Sequence, residues 1–185
     1  MPARPLSFLG LSGSLRGAST NTALLEAARL LAPPDLRVDV YNGLGDLPLF
    51  NPDLDEPGRP PPAAVAAFRS AVDTCDGLLV ACPEYAHGVP GAFKNALDWL
   101  VGGPEFPGKP IALFHATTRG THVRAALTEI LSTMSGLIVQ GATLALPLLG
   151  RHESPQTIAT NADHAREIGS ALRFFASCVR SIPAR

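Results

Sequence analysis

The chain has 185 residues, 46% of them apolar, and a formal net charge of −1. That length suits one domain, residues 1-185, with a substantial core, and so neutral a balance gives no field favouring nucleic acid or an anionic membrane surface. No apolar run approaches a membrane span, and the N-terminal MPARPLSFLGLSG has too short an apolar stretch for a signal peptide.

In chain order, Leu6 to Leu11 reads as a first strand, followed by a turn punctuated by Gly10, Gly13 and Gly17. Ser19 or Thr20 then opens a helix to about Leu31, with Leu24, Leu25, Ala28 and Leu31 facing inward, and Pro33-Pro34 stops it. Leu36 to Tyr41 alternates and reads as a second strand; Leu47 to Phe50 is a short apolar loop. The Pro-rich stretch from Asn51 to Pro62 reads as an exposed connection, and Pro62 to Asp73 as a second helix with Val65, Phe68 and Val72 on one side. Gly77 to Cys82 is a short apolar run of the kind buried on both faces of a parallel sheet. A loop of about seven residues and a helix from Gly91 to Val101 follow, with Pro90 presetting the helix start. Pro110 to His115 is a fourth strand and Val123 to Met134 a fourth helix. Leu137 to Leu146 is a fifth strand broken near Gly141, and Pro155 to Val179 one long last helix.

Five βα alternations predict a doubly wound α/β fold, a five-stranded parallel sheet with helices on both faces. With strand order 2-1-3-4-5, the first, third and fourth strands lie side by side, and their following loops converge. Those loops are Ser12 to Asn21, Pro83 to Gly88 and His115 to Gly120, the three of unusual composition.

The first loop offers glycine-permitted close approach, a helix N-terminus, and the donors Ser14, Arg16, Ser19, Asn21 and Thr22. A helix cap alone needs neither an arginine nor a row of hydroxyls, so the loop reads as a phosphate site. It lacks G-x-G-x-x-G and GK[ST], and the near match to G-x-S-x-G fails at Ser14. A mononucleotide fits better, with its phosphate in the first loop and a planar ring between the second and third. Tyr85 and His87 suit a planar ligand; the same residues also read as a packed aromatic and a solvated imidazole. Thr117 and Thr118 read equally as caps of the next helix, with Arg119 solvated, or as ligand contacts. His87, His115, His122, His152 and His164 show no metal-ligand spacing. Cys75, Cys82 and Cys178 form no C-x-x-C, and their odd number points to the reducing cytoplasm. Cys82 ends a buried strand and reads as an inert thiol, and Trp99 as core or subunit interface.

Gly13-Ser14-Leu15-Arg16, Ser19 and Asn21 match GSLR-x-x-S-x-N, and Pro83 to Trp99 matches PEY-x(4)-PG-x-x-KNA-x-DW. On these motifs the chain, to about residue 145, resembles the NADPH-dependent FMN reductase family of flavodoxin-like quinone and azo-dye reductases. The resemblance implies FMN phosphate held by Ser14, Arg16, Ser19 and Asn21, with Thr22 beside them. It implies the isoalloxazine ring against Pro83, Glu84, Tyr85, Ala86, His87 and Gly88, with Thr117, Arg119 and Gly120 at its far edge. Arg119 would stand near N1 of the flavin or grip a phosphate of the nicotinamide nucleotide. Many relatives carry Asn at the position of Ala86 and Ser at that of Gly88, and their third loop is richer in Gly and Ser.

The function implied is hydride transfer from NADPH or NADH to bound FMN, then electron transfer to a small-molecule acceptor such as a quinone, azo compound or flavin, in a ping-pong cycle. His87 is then an acceptor contact. A homodimer or homotetramer is also implied. Two other readings stand beside this one: a one-electron carrier of flavodoxin type, and a flavin-free partner-binding protein.

Overall fold

The computed structural model describes residues 4–56, 58–148, 150 and 153–182. His152, one of the five histidines considered for metal binding, lies outside the described residues. Strand β1 (Leu6–Ser12) and strand β3 (Gly77–Ala81) have their inward side chains sorted by a period of two. Leu6, Phe8, Leu79 and Ala81 point into one apolar cluster; Leu9, Leu11, Leu78 and Val80 point into another. A strand apolar on both sides must be covered on both sides, and helices supply the covers.

Helix α1 (Thr20–Leu30) contributes Leu24 and Leu25 to the first cluster. Strand β2 (Leu36–Tyr41) follows, and then helix α2 (Ala63–Thr74), whose Val65, Phe68 and Val72 enter the second. Helix α3 (Gly91–Asp98) follows β3, then strand β4 (Pro110–His115), buried throughout, and helix α4 (Thr121–Thr133). Short strands β5 (Leu137–Ile138) and β6 (Leu144–Ala145) flank a 3-10 turn, Gln140–Ala142. Helices α5 (Pro155–Thr160) and α6 (Ala162–Ser181) close the chain.

The sheet is parallel with order β2-β1-β3-β4-β5, and β6 pairs with β4. The expected order and the break near Gly141 both hold. The fifth strand is two halves, which makes six strands among the described residues: the chain leaves β4 at Ile138 and rejoins it at Leu144.

The last helix differs from expectation. Asn161 has an extended backbone (φ −71°, ψ 119°), and its side chain accepts hydrogen bonds from the Asp163 and His164 amides at 3.1 and 3.0 Å. An Asn competes for its own backbone in this way, ending one helix and starting another. Helix α3 also ends earlier than expected, at Asp98 rather than Val101, and tightens into i→i+3 bonds through Leu100 and Val101.

The run KNALDW is structural. Trp99 is fully buried, and its Nε1 donates to the Pro48 carbonyl at 2.8 Å. Asn95 Nδ2 donates to the same carbonyl at 3.0 Å, and Asn95 Oδ1 accepts from the Phe50 amide at 2.8 Å. Lys94 and Asp98 pair on the surface. The apolar loop from Leu47 to Phe50 is thereby clamped to α3. Part of the Pro-rich connection is clamped too: Arg69 grips both Asp55 carboxylate oxygens at 2.7 Å and donates to the Trp99 carbonyl. That hydrogen bonding to Asp55 raises the Arg69 guanidinium pKa further above its ordinary value.

Asn161→Ala leaves two amides at the start of α6 without acceptors. It should cost about 1 kcal/mol, a fall in Tm of roughly 3 °C by calorimetry.

Candidate functional site

The polar side chains that the sheet cannot hold collect at the carboxyl ends of β1, β3 and β4. After β1, Gly13 donates its amide to the Ala81 carbonyl at 2.8 Å. A β-carbon at Gly13 would stand 2.6 Å from Cys82 Sγ, so only glycine lets the first loop lie against the end of β3. Burial pushes the Cys82 thiol pKa up to about 12, which leaves it an inert spacer there.

The first loop is held open from inside. Ser12 Oγ is 2.8 Å from Thr22 Oγ1 and accepts from the Ser14 amide at 3.3 Å. Ser14 Oγ accepts from the Arg16 amide, and Ser19, the N-cap of α1, accepts from the Thr22 amide. The Arg16 side chain is exposed and has no carboxylate partner among the described residues. The amides of Leu15, Gly17 and Ala18 likewise have no acceptor among the described residues.

Two hollows flank this loop. One, about 290 Å³, is lined by Ser12, Ser14, Arg16 and Thr22 on one side and Tyr41, Asn42 and Gly45 on the other. The other, about 340 Å³, is lined by Ser19 and Thr20 but also by Glu26 and Glu153. An anion is favoured in the first, where the only charged side chain of the lining is a guanidinium, and repelled by the carboxylates of the second. Ser19 and Asn21 do not line the first hollow.

The second loop is a tight hairpin. Tyr85 and Gly88 exchange both backbone hydrogen bonds, at 3.1 and 2.9 Å. Ala86 (φ 49°) and His87 (φ 60°) occupy its two central positions, both left-handed. Glycine or asparagine normally fills such places, so both residues are held under strain. Tyr85, Ala86 and His87 are exposed.

Glu84 reaches the third loop. Its Oε2 accepts from the Val123 amide at 3.0 Å, inside the first turn of α4. The residue at the helix N-cap is Gly120 (φ 88°), which has no side chain to cap with. This corrects the capping role considered for Thr117 and Thr118: Thr117 Oγ1 accepts from the Arg119 amide at 3.1 Å instead. A carboxylate at a helix N-terminus is stabilised by the open amides and the dipole. A second link joins the same elements: the rings of His87 and His122 stack with centroids 4.2 Å apart and planes 16° from parallel. Arg119 is exposed, and its guanidinium has no partner among the described residues.

A family model for NADPH-dependent FMN reductases matches residues 6–148. The chain belongs to that family. It is 41% identical over 114 residues to an NAD(P)H-dependent FMN reductase of Pseudomonas aeruginosa, an alignment covering 60% of each chain. It is 30% identical over 158 residues to a quinone reductase of Escherichia coli K12, covering 82% of this chain and 83% of the other. Among solved structures it is similar to FerB, a flavoenzyme NAD(P)H:(acceptor) oxidoreductase from Paracoccus denitrificans, with TM-score 0.81 and 23% identity over 95% of this chain and 97% of that one. The last likeness concerns the fold. Membership makes the chain a flavodoxin-like oxidoreductase of the FMN- and NAD(P)H-using kind.

For an FMN reductase, the residues present fit the cofactor. Unpartnered amides, hydroxyls and a free guanidinium suit a phosphate monoester, and an exposed aromatic hairpin suits a planar ring. Sequence reasoning missed Tyr41, Asn42 and Gly45, the far wall of the first hollow, which follow β2 with no distinctive composition. It also missed His122, which falls one residue before the expected fourth helix and enters the sequence reading only in the metal-spacing comparison. Among the described residues no His, Cys, Asp or Glu group is placed to hold a metal ion.

Two outcomes follow from strain and burial. Ala86→Gly removes a left-handed alanine and should raise stability by roughly 1 kcal/mol in denaturant titration. His115, at the end of β4, is buried, and desolvation together with Arg124 pushes its pKa from 6.5 down to about 4. Its imidazole is therefore neutral in the folded chain while the unfolded chain takes up a proton. Stability contributed by His115 is full above pH 6.5 and falls as the pH drops from 6.5 through about 4, by up to roughly 3 kcal/mol. His115→Gln should flatten that part of the stability–pH curve measured by urea midpoints.

Proposed function

We propose that this protein is an FMN-dependent NAD(P)H oxidoreductase that reduces quinones and related small planar acceptors. Ser14 and Arg16, with Thr22 and the open amides of the first loop, bind the FMN phosphate. Ser19 and Asn21 shape the helix end from behind. The hairpin Pro83 to Gly88 supports the ring, with Tyr85 and His87 on its open side. Thr117, Arg119 and Gly120 stand at the far edge of the ring, where Arg119 meets a phosphate of the nicotinamide nucleotide. The carboxylate of Glu84 is occupied by the Val123 amide, so its part in ring binding falls to its backbone. The chemistry supplied by bound FMN is hydride acceptance from NAD(P)H followed by electron delivery to the acceptor.

The observation that carries this reading is the unpaired Arg16 beside open backbone amides, one strand away from an exposed aromatic hairpin. No side-chain nucleophile is required, because the protein's own work is to hold, orient and expose a ring. A cytoplasmic setting is supported by three cysteines that are all unpaired. Among the described residues no helix is long and apolar enough to cross a membrane. Assembly as a homodimer or homotetramer is part of the proposal and rests on family likeness.

Purified protein mixed with FMN should show shifted flavin absorption bands that bleach on anaerobic addition of NADPH or NADH; no binding, or binding without bleaching, would sink the reading. Arg16→Ala removes a charge-assisted contact worth roughly 1.5–3 kcal/mol, so FMN affinity by fluorescence titration should fall about ten- to a hundredfold.

A further inference from the structure

The stacked pair His87 and His122 joins two elements that Glu84 already ties together. Both residues are exposed, and they come from different elements, the tip of the second-loop hairpin and the second position of α4. His87 is also held at φ 60°, a left-handed backbone that an L-residue avoids without a reason. The surroundings are mixed in charge: Glu84 and Tyr85 lie on the same hairpin, Arg119 in the third loop and Arg124 on α4. Glu84 is engaged with the Val123 amide and Arg124 Nη2 with the Thr117 carbonyl. The two imidazoles and the Tyr85 hydroxyl are therefore the uncommitted groups able to exchange a proton that face solvent at the rim of the proposed ring site.

Quinone reduction needs such a group. The overall change is NAD(P)H + H⁺ + quinone → NAD(P)⁺ + hydroquinone. The hydride accounts for two electrons and one hydrogen; the second hydrogen arrives as a proton. Imidazole is the side chain whose charge changes most readily near neutral pH.

We propose that His87 delivers this second proton to the acceptor oxygen, and that His122 is the positioning residue that holds the His87 ring by stacking from the rigid first turn of α4. The inference rests on the oxidoreductase reading above. In the step, the N–H bond of the His87 imidazolium breaks and the O–H bond of the hydroquinone forms. The neutral imidazole then takes a proton back from solvent. The stack explains why a strained hairpin tip carries a histidine: packing against a helix limits the ring's rotation, so its N–H faces a fixed place.

The test uses FMN-loaded protein reduced anaerobically with NADPH, then mixed with 1,4-benzoquinone or with ferricyanide, which takes electrons without a proton. In His87→Gln and in His87→Asn, whose side chain suits the left-handed backbone, the quinone rate should fall roughly a hundredfold relative to the ferricyanide rate of the same variant. The pH profile of the quinone rate should change with it. An unchanged quinone-to-ferricyanide ratio and an unchanged pH profile in both variants would overturn the proposal. Failure of NADPH and NADH to bleach the flavin in the unmodified protein is a separate result, which overturns the oxidoreductase reading itself. The positioning role has its own readout in flavin-free protein. The His87 ring protons should carry a ring-current shift in the NMR spectrum that His122→Ala removes and His122→Phe keeps. His87 resonances that are the same in the unmodified protein and His122→Ala would overturn that role.

Discussion

A strand buried on both faces has no room for a polar side chain. In β1, β3 and β4 every Leu, Ile, Val, Phe and Ala enters one of two helix-covered apolar clusters, so most donors and charges are forced to the ends of the strands. Because these adjacent strands pair in parallel, their carboxyl ends all face one edge, and their loops share it. The site is a consequence of that exclusion: Ser12 marks the point where the first strand stops being apolar, and Gly13 the point where the chain can bend against its neighbour.

Once gathered, the loops are joined by a few polar bonds and little packing. Glu84 is the main fastener, since its carboxylate takes an amide of α4 that no residue of α4 caps. The consequence reaches the backbone of its own loop: with Glu84 drawn toward α4, the chain must return within a two-residue turn, and Ala86 and His87 absorb the cost in left-handed conformations. Strain of this kind persists where surrounding contacts over-determine it. Here Glu84 fastens one side and the His87–His122 stack the other. The family motif therefore divides into parts with different work. Pro83 to Gly88 presents a surface, while Asn95 and Trp99 clamp the loop after β2 to α3 and never approach the edge of the sheet.

The βα alternation, the two-sided core and the break near Gly141 were legible because they follow from local patterning: short apolar runs, helical spacing and glycine punctuation; the strand order came from the common order of such folds. The motifs of the first and second loops were legible for the same reason, since their residues are adjacent in the chain. The break at Asn161 was not, because apolar spacing continues through it, and only the side chain's bonds to two amides show a new helix starting. The cap of α4 was not legible: Thr117 and Thr118 read equally as caps or as ligand contacts, and the group that fills that role comes from 39 residues away. The pairing of His87 with His122 and the wall made by Tyr41, Asn42 and Gly45 were invisible for that reason too.

Residues Gly13 to Asn21 and Pro83 to Trp99 by themselves carried the resemblance to the family, a donor-rich glycine turn before a helix, and a loop bearing Tyr85 and His87. Local chemistry suffices for that, because a glycine turn before a helix has the same donors wherever it sits. Which hydroxyls line the first hollow, which carboxylate is already engaged and which histidines meet was decided by the sheet. Side chains far apart in sequence become partners only when parallel strands bring their ends together, and the low cost of small loop shifts leaves their pairing open until those ends are in place.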